Sequence, residues 1–290
     1  VRDVCVELLE HQRGGEVTLG MGAQERRTAR INPPDRAAIL HDTATTGIYL
    51  KGGCIGGVVE RTRVERAGDL GIALGFDTSP EFFDLAANPS YYENLGGIVR
   101  SCVVRGTRLA GIGLFAAKDA LVLHNTVIDT AREGHSAIYF GLTFQDYEDG
   151  AGRPATTNPR IEGNVVFQPS GNDGACVAIR WSDELGGLSG LEGSSRFESN
   201  LYFRASGACR FEDGRPKSPL EQGTLAAWRT HIGGEVHSLE VDPQLAEDGH
   251  LSAGSPCIDR TPANPDVPSD IDGEARVASC DLGADELVAK

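Results

Sequence analysis

Lys51, Arg180 and His135 are the side chains of this chain whose types suit proton transfer and charge capture. A lysine becomes a general base when burial or nearby positive charge lowers its pKa. Arginine presents a planar fork that holds a carboxylate through two parallel bonds. His135 stands immediately before the segment AIYFGL and can serve as acid or base, with a structural hydrogen-bonding role as the alternative. The plain alternative for Lys51 is an exposed side chain with its stem laid on a sheet. Lysine is rare here, at positions 51, 118, 217 and 290 against 23 arginines, so its place in a floor is informative.

Carboxylates form a second group. Asp77 and Glu93 bracket one insertion, and Asp146 lies in the next long loop beside Glu148 and Asp149. Hard oxygen ligands from separate segments can hold Ca²⁺, although no contiguous calcium loop is present; solvated acidic surface is the alternative. A third group is aromatic: Tyr49, Phe82, Phe83, Tyr92, Tyr139 and Trp181. Flat rings beside a polar groove can stack on the C–H faces of sugar rings. Other chemistries are excluded. There is no GxSxG, no Walker loop and no GxGxxG in a βαβ setting, and GGCIGG (Gly52 to Gly57) is too simple to bind phosphate. No Cys or His pairing falls at zinc spacing.

Positioning these residues requires regular elements, and the chain supplies a repeat. GIYLKG (Gly47 to Gly52), GIALGF (Gly71 to Phe76), GIGLFA (Gly111 to Ala116), AIYFGL (Ala137 to Leu142), CVAIRW (Cys176 to Trp181) and, more weakly, ACRFED (Ala208 to Asp213) alternate apolar and other residues. A period of two behind a small or turn residue predicts half-buried strands, and recurrence without intervening helices predicts a repeat architecture. With Ile48 and Leu50 inward, the outward columns read Lys51, Gly75, Phe115, Gly141, Arg180, Glu212 and Tyr49, Ala73, Gly113, Tyr139, Ala178, Arg210. Small residues between large polar ones predict a shallow groove floor. It holds only Glu212 as an acid, whereas glycoside hydrolysis needs two carboxylates.

A second strand type aligns on a turn position holding Thr62, Cys102, Asn125, Asn164 and Asn200. Asparagine tolerates a tight corner, and such side chains can stack into an interior ladder. The step from Cys102 to Asn125, 125 − 102 = 23 residues, suits one turn of a solenoid. The longer steps place insertions after the first strand type, at 76–97, 142–159 and 181–195, all on one edge. Loops on a rigid scaffold are where binding residues concentrate.

Composition bounds the partners. Thirty-seven glycines and few aromatics suit tight turns and close-stacked strands. A net charge of −15 makes nucleic acid and anionic membranes poor partners, and no run approaches the ~20 apolar residues of a membrane span. No signal segment precedes Val1, as expected of a mature form or a fragment. Residues 1–46 read either as an amphipathic helix capping the stack, from the spacing of Val1, Val4, Cys5, Leu8 and Leu9, or as a degenerate first coil. Residues 47–213 form the central coils. Residues 214–290 make a C-terminal coil and closing stretch, with a short helix expected over Thr224 to Thr230. One domain of 290 residues suffices, because a solenoid grows in one dimension. Seven cysteines leave at least one unpaired if all bonds are internal. Cys102 reads as a buried thiol in the ladder, and the strand alignment points Cys176 and Cys209 to opposite faces.

The chain resembles the right-handed parallel β-helix proteins of the pectate-lyase-like superfamily. The likeness rests on the stacked strands, the asparagine turns and a closing stretch: VDPQL (Val241 to Leu245), HLSAGSPCID (His250 to Asp259), DIDGEAR (Asp270 to Arg276) and CDLGADE (Cys280 to Glu286). Similar endings occur on many secreted bacterial β-helix proteins. LKGG (Leu50 to Gly53), GFDTSPEFFD (Gly75 to Asp84) and YYEN (Tyr91 to Asn94) add a finer likeness. The resemblance implies a secreted or periplasmic monomer, all-β, with long loops on one edge, acting on polysaccharide. Related lyases use lysine or arginine on adjacent coils, sometimes with Ca²⁺, which implies Lys51 as base, Arg180 and His135 as its companions, and Ca²⁺ on Asp77, Glu93 and Asp146. The reaction so implied is β-elimination on a uronate-containing polymer. The alternatives are a non-catalytic glycan-binding or surface module, and thirdly a hydrolase. Packing of the closing stretch on itself implies a disulfide between Cys257 and Cys280.

Overall fold

The structure is a computed structural model that describes residues 4–5, 12–13, 17–20, 29–31, 38–143 and 153–288. Parallel strands dominate it. Sheet 1 has seven strands, sheets 2 and 3 have eight each, and a narrow sheet 4 has five. One circuit shows the plan. Ile98–Arg100 lies in sheet 1, Val103–Arg105 in sheet 2, Ile112–Phe115 in sheet 3 and Ala117–Lys118 in sheet 4; the chain then returns to sheet 1 at Leu121–Leu123. Ile98 pairs with Leu121, so this circuit takes 121 − 98 = 23 residues. The arrangement is all-β and compatible with a parallel β-helix.

The hexapeptide strands make sheet 3, and their registers follow the repeat: Ile48, Ile72, Ile112, Ile138 and Val177 stand side by side. These residues and Leu50, Leu74, Leu114, Phe140 and Ile179 are at most 2 % exposed and form the central core. The last strand sits two residues from its expected place, with Phe211 beside Val177 and Glu212 beside Ala178. Phe211 takes the inward layer because its ring stacks on Trp228 at 5.5 Å and meets Tyr202 at 5.0 Å, contacts that Cys209 is too small to make.

The ladder forms as the turn alignment requires. Asn125 Nδ2 donates to Asn164 Oδ1, Asn164 Nδ2 to Asn200 Oδ1, and Asn200 Nδ2 to Glu235 Oε2, each at 3.0 Å. Every amide therefore donates in one direction. Glu235 fixes that direction, because a carboxylate only accepts. It is fully buried, and also receives Tyr202 Oη at 2.6 Å.

At the N-terminal end, Val4–Cys5 and Val17–Gly20 are strands, paired with Ala29–Ile31 and Ile48–Lys51. These strands extend the stack there, while Val1, Leu8 and Leu9, on which the expected capping helix also rests, lie outside the described residues. The helix near the other end runs Leu225–Ile232, capped by the Thr224 hydroxyl, which accepts from Ala227 N, and by Gly233 at φ 66°. The closing stretch lies back along sheets 1 and 2. His124 Nδ1 meets Asp281 O at 2.9 Å, Ser101 Oγ donates to Ser269 O at 2.7 Å, and Ala284 N donates to Thr126 Oγ1 at 2.8 Å. Inside it, the Asp270 carboxylate accepts from the amides of Asp272, Glu274 and Glu286.

Cys257 and Cys280 are buried free thiols, so the expected disulfide is not formed. The antiparallel register sets Thr261 opposite Cys280, four residues from Cys257 (261 − 257), and Cys257 packs against Val165, Leu201 and Leu282 instead. Cys176 and Cys209 are buried in the same central core and in contact, contrary to the facing expected from the alignment.

Candidate functional site

The outward face of sheet 3 is an aromatic row. Its register column reads Tyr49, Ala73, Gly113, Tyr139, Ala178 and Glu212. Phe115 folds across this column instead of standing beside it. A Cβ at Gly141 would lie 2.0 Å from its ring, and one at Gly113 2.6 Å. The two glycines expected to open a groove therefore seat a phenyl ring, which covers backbone that has no side chain of its own. Ring centroids then run Tyr49 to Phe76 at 5.3 Å, Phe76 to Phe115 at 5.2 Å, Phe115 to Tyr139 at 6.0 Å and Tyr139 to His135 at 4.0 Å.

At one end of the row, His135, Tyr139 and Arg180 come together. The imidazole stacks on the phenol ring with 6° between planes, and Tyr139 shares a hydrogen bond with Arg180. The backbone of His135 is left-handed, φ 65°, which turns the ring over the face of the strand that follows. His135 makes no hydrogen bond among the described residues, and its Nδ1 is shut off from solvent. Burial and then the Arg180 charge pull its pKa down to about 4, against the opposing pull of Asp69, so the imidazole is neutral near pH 7. Burial pushes the Tyr139 phenol up, with Arg180 opposing, so the phenol keeps its proton. Arg180 is exposed and makes no ion pair among the described residues.

Two cavities meet at these residues. One, of about 320 Å³, is walled by Thr46, Asp69, Leu70, Leu109 and the aromatic row. The other, of about 450 Å³, runs toward Trp181, Glu212, Asp213 and Glu221. Asp213 is fully engaged by Arg215 and by His231 Nε2 at 2.7 Å. The Thr46 hydroxyl is buried without a partner in the first cavity.

Other residues expected at the site lie elsewhere. Lys51 is four strand spacings from the Arg180 strand in sheet 3, roughly 19 Å. Its ammonium sits 5.0 Å from the Tyr49 ring centre and donates to the Asp77 carbonyl. Lys51 and Arg180 are thus too far apart to serve one bond. Phe83 is buried and Phe82 exposed, on the insertion beside sheet 4, and neither reaches the two cavities. Tyr92 Oη bonds Thr157 Oγ1 at 3.1 Å, with Lys118 over its ring.

Glu93 is not a metal ligand in waiting. It is completely buried, pairs with Arg153 at 2.9 Å and accepts from Gly52 N and from Thr78 N and Oγ1. Arg153 in turn lies 4.5 Å from the Phe83 ring centre. This pair pins the first insertion to the second, which is why Glu93 points inward. Asp146 lies outside the described residues. Among the described residues one other group could hold a cation, His250 with Asp272 and Asp285, whose ligand atoms lie within 4.8 Å of one another. Arg63 Nη2 stands 3.4 Å from His250 Nε2, which already pairs with Asp272 at 2.7 Å, so a guanidinium already brings positive charge there.

Sequence reasoning missed Thr46, Asp69 and Leu109, which wall the first cavity from the turns entering sheet 3. Their signal was available: each lies within two residues of a hexapeptide strand, on the side away from the long insertions. No family model matches the chain, and no curated protein does.

Proposed function

We propose that this chain is a right-handed parallel β-helix, secreted, that cleaves an acidic polysaccharide by β-elimination at the His135–Tyr139–Arg180 cleft. The observation carrying the proposal is a neutral imidazole stacked on a protonated phenol, beside an exposed guanidinium with no carboxylate partner among the described residues. β-Elimination needs those three roles. Arg180 pairs with the uronate carboxylate and so acidifies the proton on C5. The His135 imidazole takes that proton, the C4–C5 double bond forms, and the C4–O bond breaks. Tyr139 delivers its proton to the departing oxygen, and solvent exchange returns His135 and Tyr139 to their starting states. Phe76, the partly exposed ring of the row beyond the catalytic group, supports the neighbouring sugar through its C–H face.

This assignment moves the base from Lys51 to His135. A screen of uronate polymers for ultraviolet-absorbing unsaturated product tests it. His135→Ala, Tyr139→Phe and Arg180→Ala each abolish product, while Lys51→Ala retains most of it. Loss of activity in Lys51→Ala with retention in His135→Ala reverses the assignment. Binding of a polymer without product identifies a glycan-binding module instead.

A further inference from the structure

The geometry points to a substrate in which one carboxylate-bearing sugar alternates with uncharged or amino sugars, in place of a polymer with a carboxylate on every ring. This rests on the reading of the cleft as a uronate site. The two cavities share His135, Tyr139 and Arg180, and among the described residues Arg180 is the only lysine or arginine in either lining. Acids stand on both sides of it: Asp69 in one cavity, Glu212, Asp213 and Glu221 in the other.

The cations that answer those acids lie outside the linings. Asp69 pairs with Arg108, Glu212 with Arg210 at 2.9 Å, and Asp213 with Arg215 and His231. Glu221 is exposed and has no ion pair among the described residues. A carboxylate centred on Arg180 therefore meets unpaired positive charge, whereas one on an adjoining ring meets carboxylates already answered by their own cations or, beside Glu221, an unanswered like charge.

The non-charged features of the flanks agree. Phe76, the partly exposed ring packed over the buried Tyr49 and Phe115, offers an apolar surface to a ring face. The Glu212 and Glu221 side suits a neutral or ammonium-bearing sugar. The net charge of −15 also opposes a dense polyanion at long range.

Calorimetric binding at low ionic strength, at equal uronate concentration, compares unsulfated chondroitin and heparosan with polygalacturonate and polymannuronate. The alternating polymers bind roughly tenfold more tightly. In the double variant Glu212→Gln, Glu221→Gln that gap narrows severalfold and depends less on salt. Equal or tighter binding of the homopolymers, or an unchanged gap in the double variant, overturns the inference. If the homopolymers win but Arg180→Ala abolishes their binding, the uronate reading stands and the alternation alone fails. If no polymer of either kind binds, both fall.

Discussion

Replacing Arg180 by methionine changes the titration of His135, and the change can be read without any substrate. In the native cleft the His135 pKa lies near 4, lowered first by burial, second by Arg180, and further by Arg108, with Asp69 opposing. Arg180→Met keeps an unbranched apolar stem against Tyr139 and removes the charge. Because Arg180 is exposed, water screens it. A unit charge ~6 Å away in such surroundings contributes ~0.7 kcal/mol, about half a pKa unit. The variant is therefore expected to titrate half to one unit higher, still well below 6.5, since burial remains. Proton NMR of the seven histidine ring signals gives the values, with His135→Gln assigning the resonance. The sign also reaches stability. The folded-state pKa lies below the unfolded one, so protonation favours unfolding. The contribution of His135 is intact above about 6.5 and is lost as pH falls toward about 4. A native His135 titrating near 6.5, or one that falls or stays fixed in Arg180→Met, refutes the cleft geometry argued above.

Three further outcomes are expected. Asn164→Ala removes the acceptor of Asn125 N and Nδ2 and the donor to Val122 O, leaving buried polar groups unpaired. Urea unfolding should show a loss of about 3 kcal/mol, and a loss below ~1 kcal/mol counts against the ladder. Arg153→Met strands the buried Glu93 carboxylate and should cost about 3–5 kcal/mol; adding Glu93→Gln recovers part of it, whereas additive losses deny the pairing. The Cys54, Cys102 and Cys257 thiols, pushed up by burial to about 11, 12 and 11, should resist alkylation in the native protein and react on denaturation. Mass spectrometry checks this and should find no Cys257–Cys280 bond.

The sequence exposed what periodicity can encode. Inward Ile48, Leu50, Ile72 and Leu74 follow from alternation alone, and Asn125, Asn164 and Asn200 announce their corners because their amides bridge coils, although the left-handed backbone belongs to the residue before each, His124, Gly163 and Ser199. Side chains leaving the repeat are a different matter. Phe115 was assigned an outward column correctly, yet nothing in a period of two says that its ring turns over Gly113 and Gly141 and converts a polar floor into an aromatic one. Glu93 illustrates the same limit: its loop position reads as solvent-facing until Arg153, sixty residues on (153 − 93), meets it in the interior. The separation of Lys51 from Arg180 has a simpler reason. A column fixes which face a residue occupies but leaves its distance along the stack to be counted, and four strand spacings separate it from Arg180. His135, in contrast, precedes its strand and belongs to no column, so only its left-handed backbone places it against Tyr139. Chemistry on a repeat scaffold thus falls where the repeat is broken, and the residues that break it carry the weakest pattern.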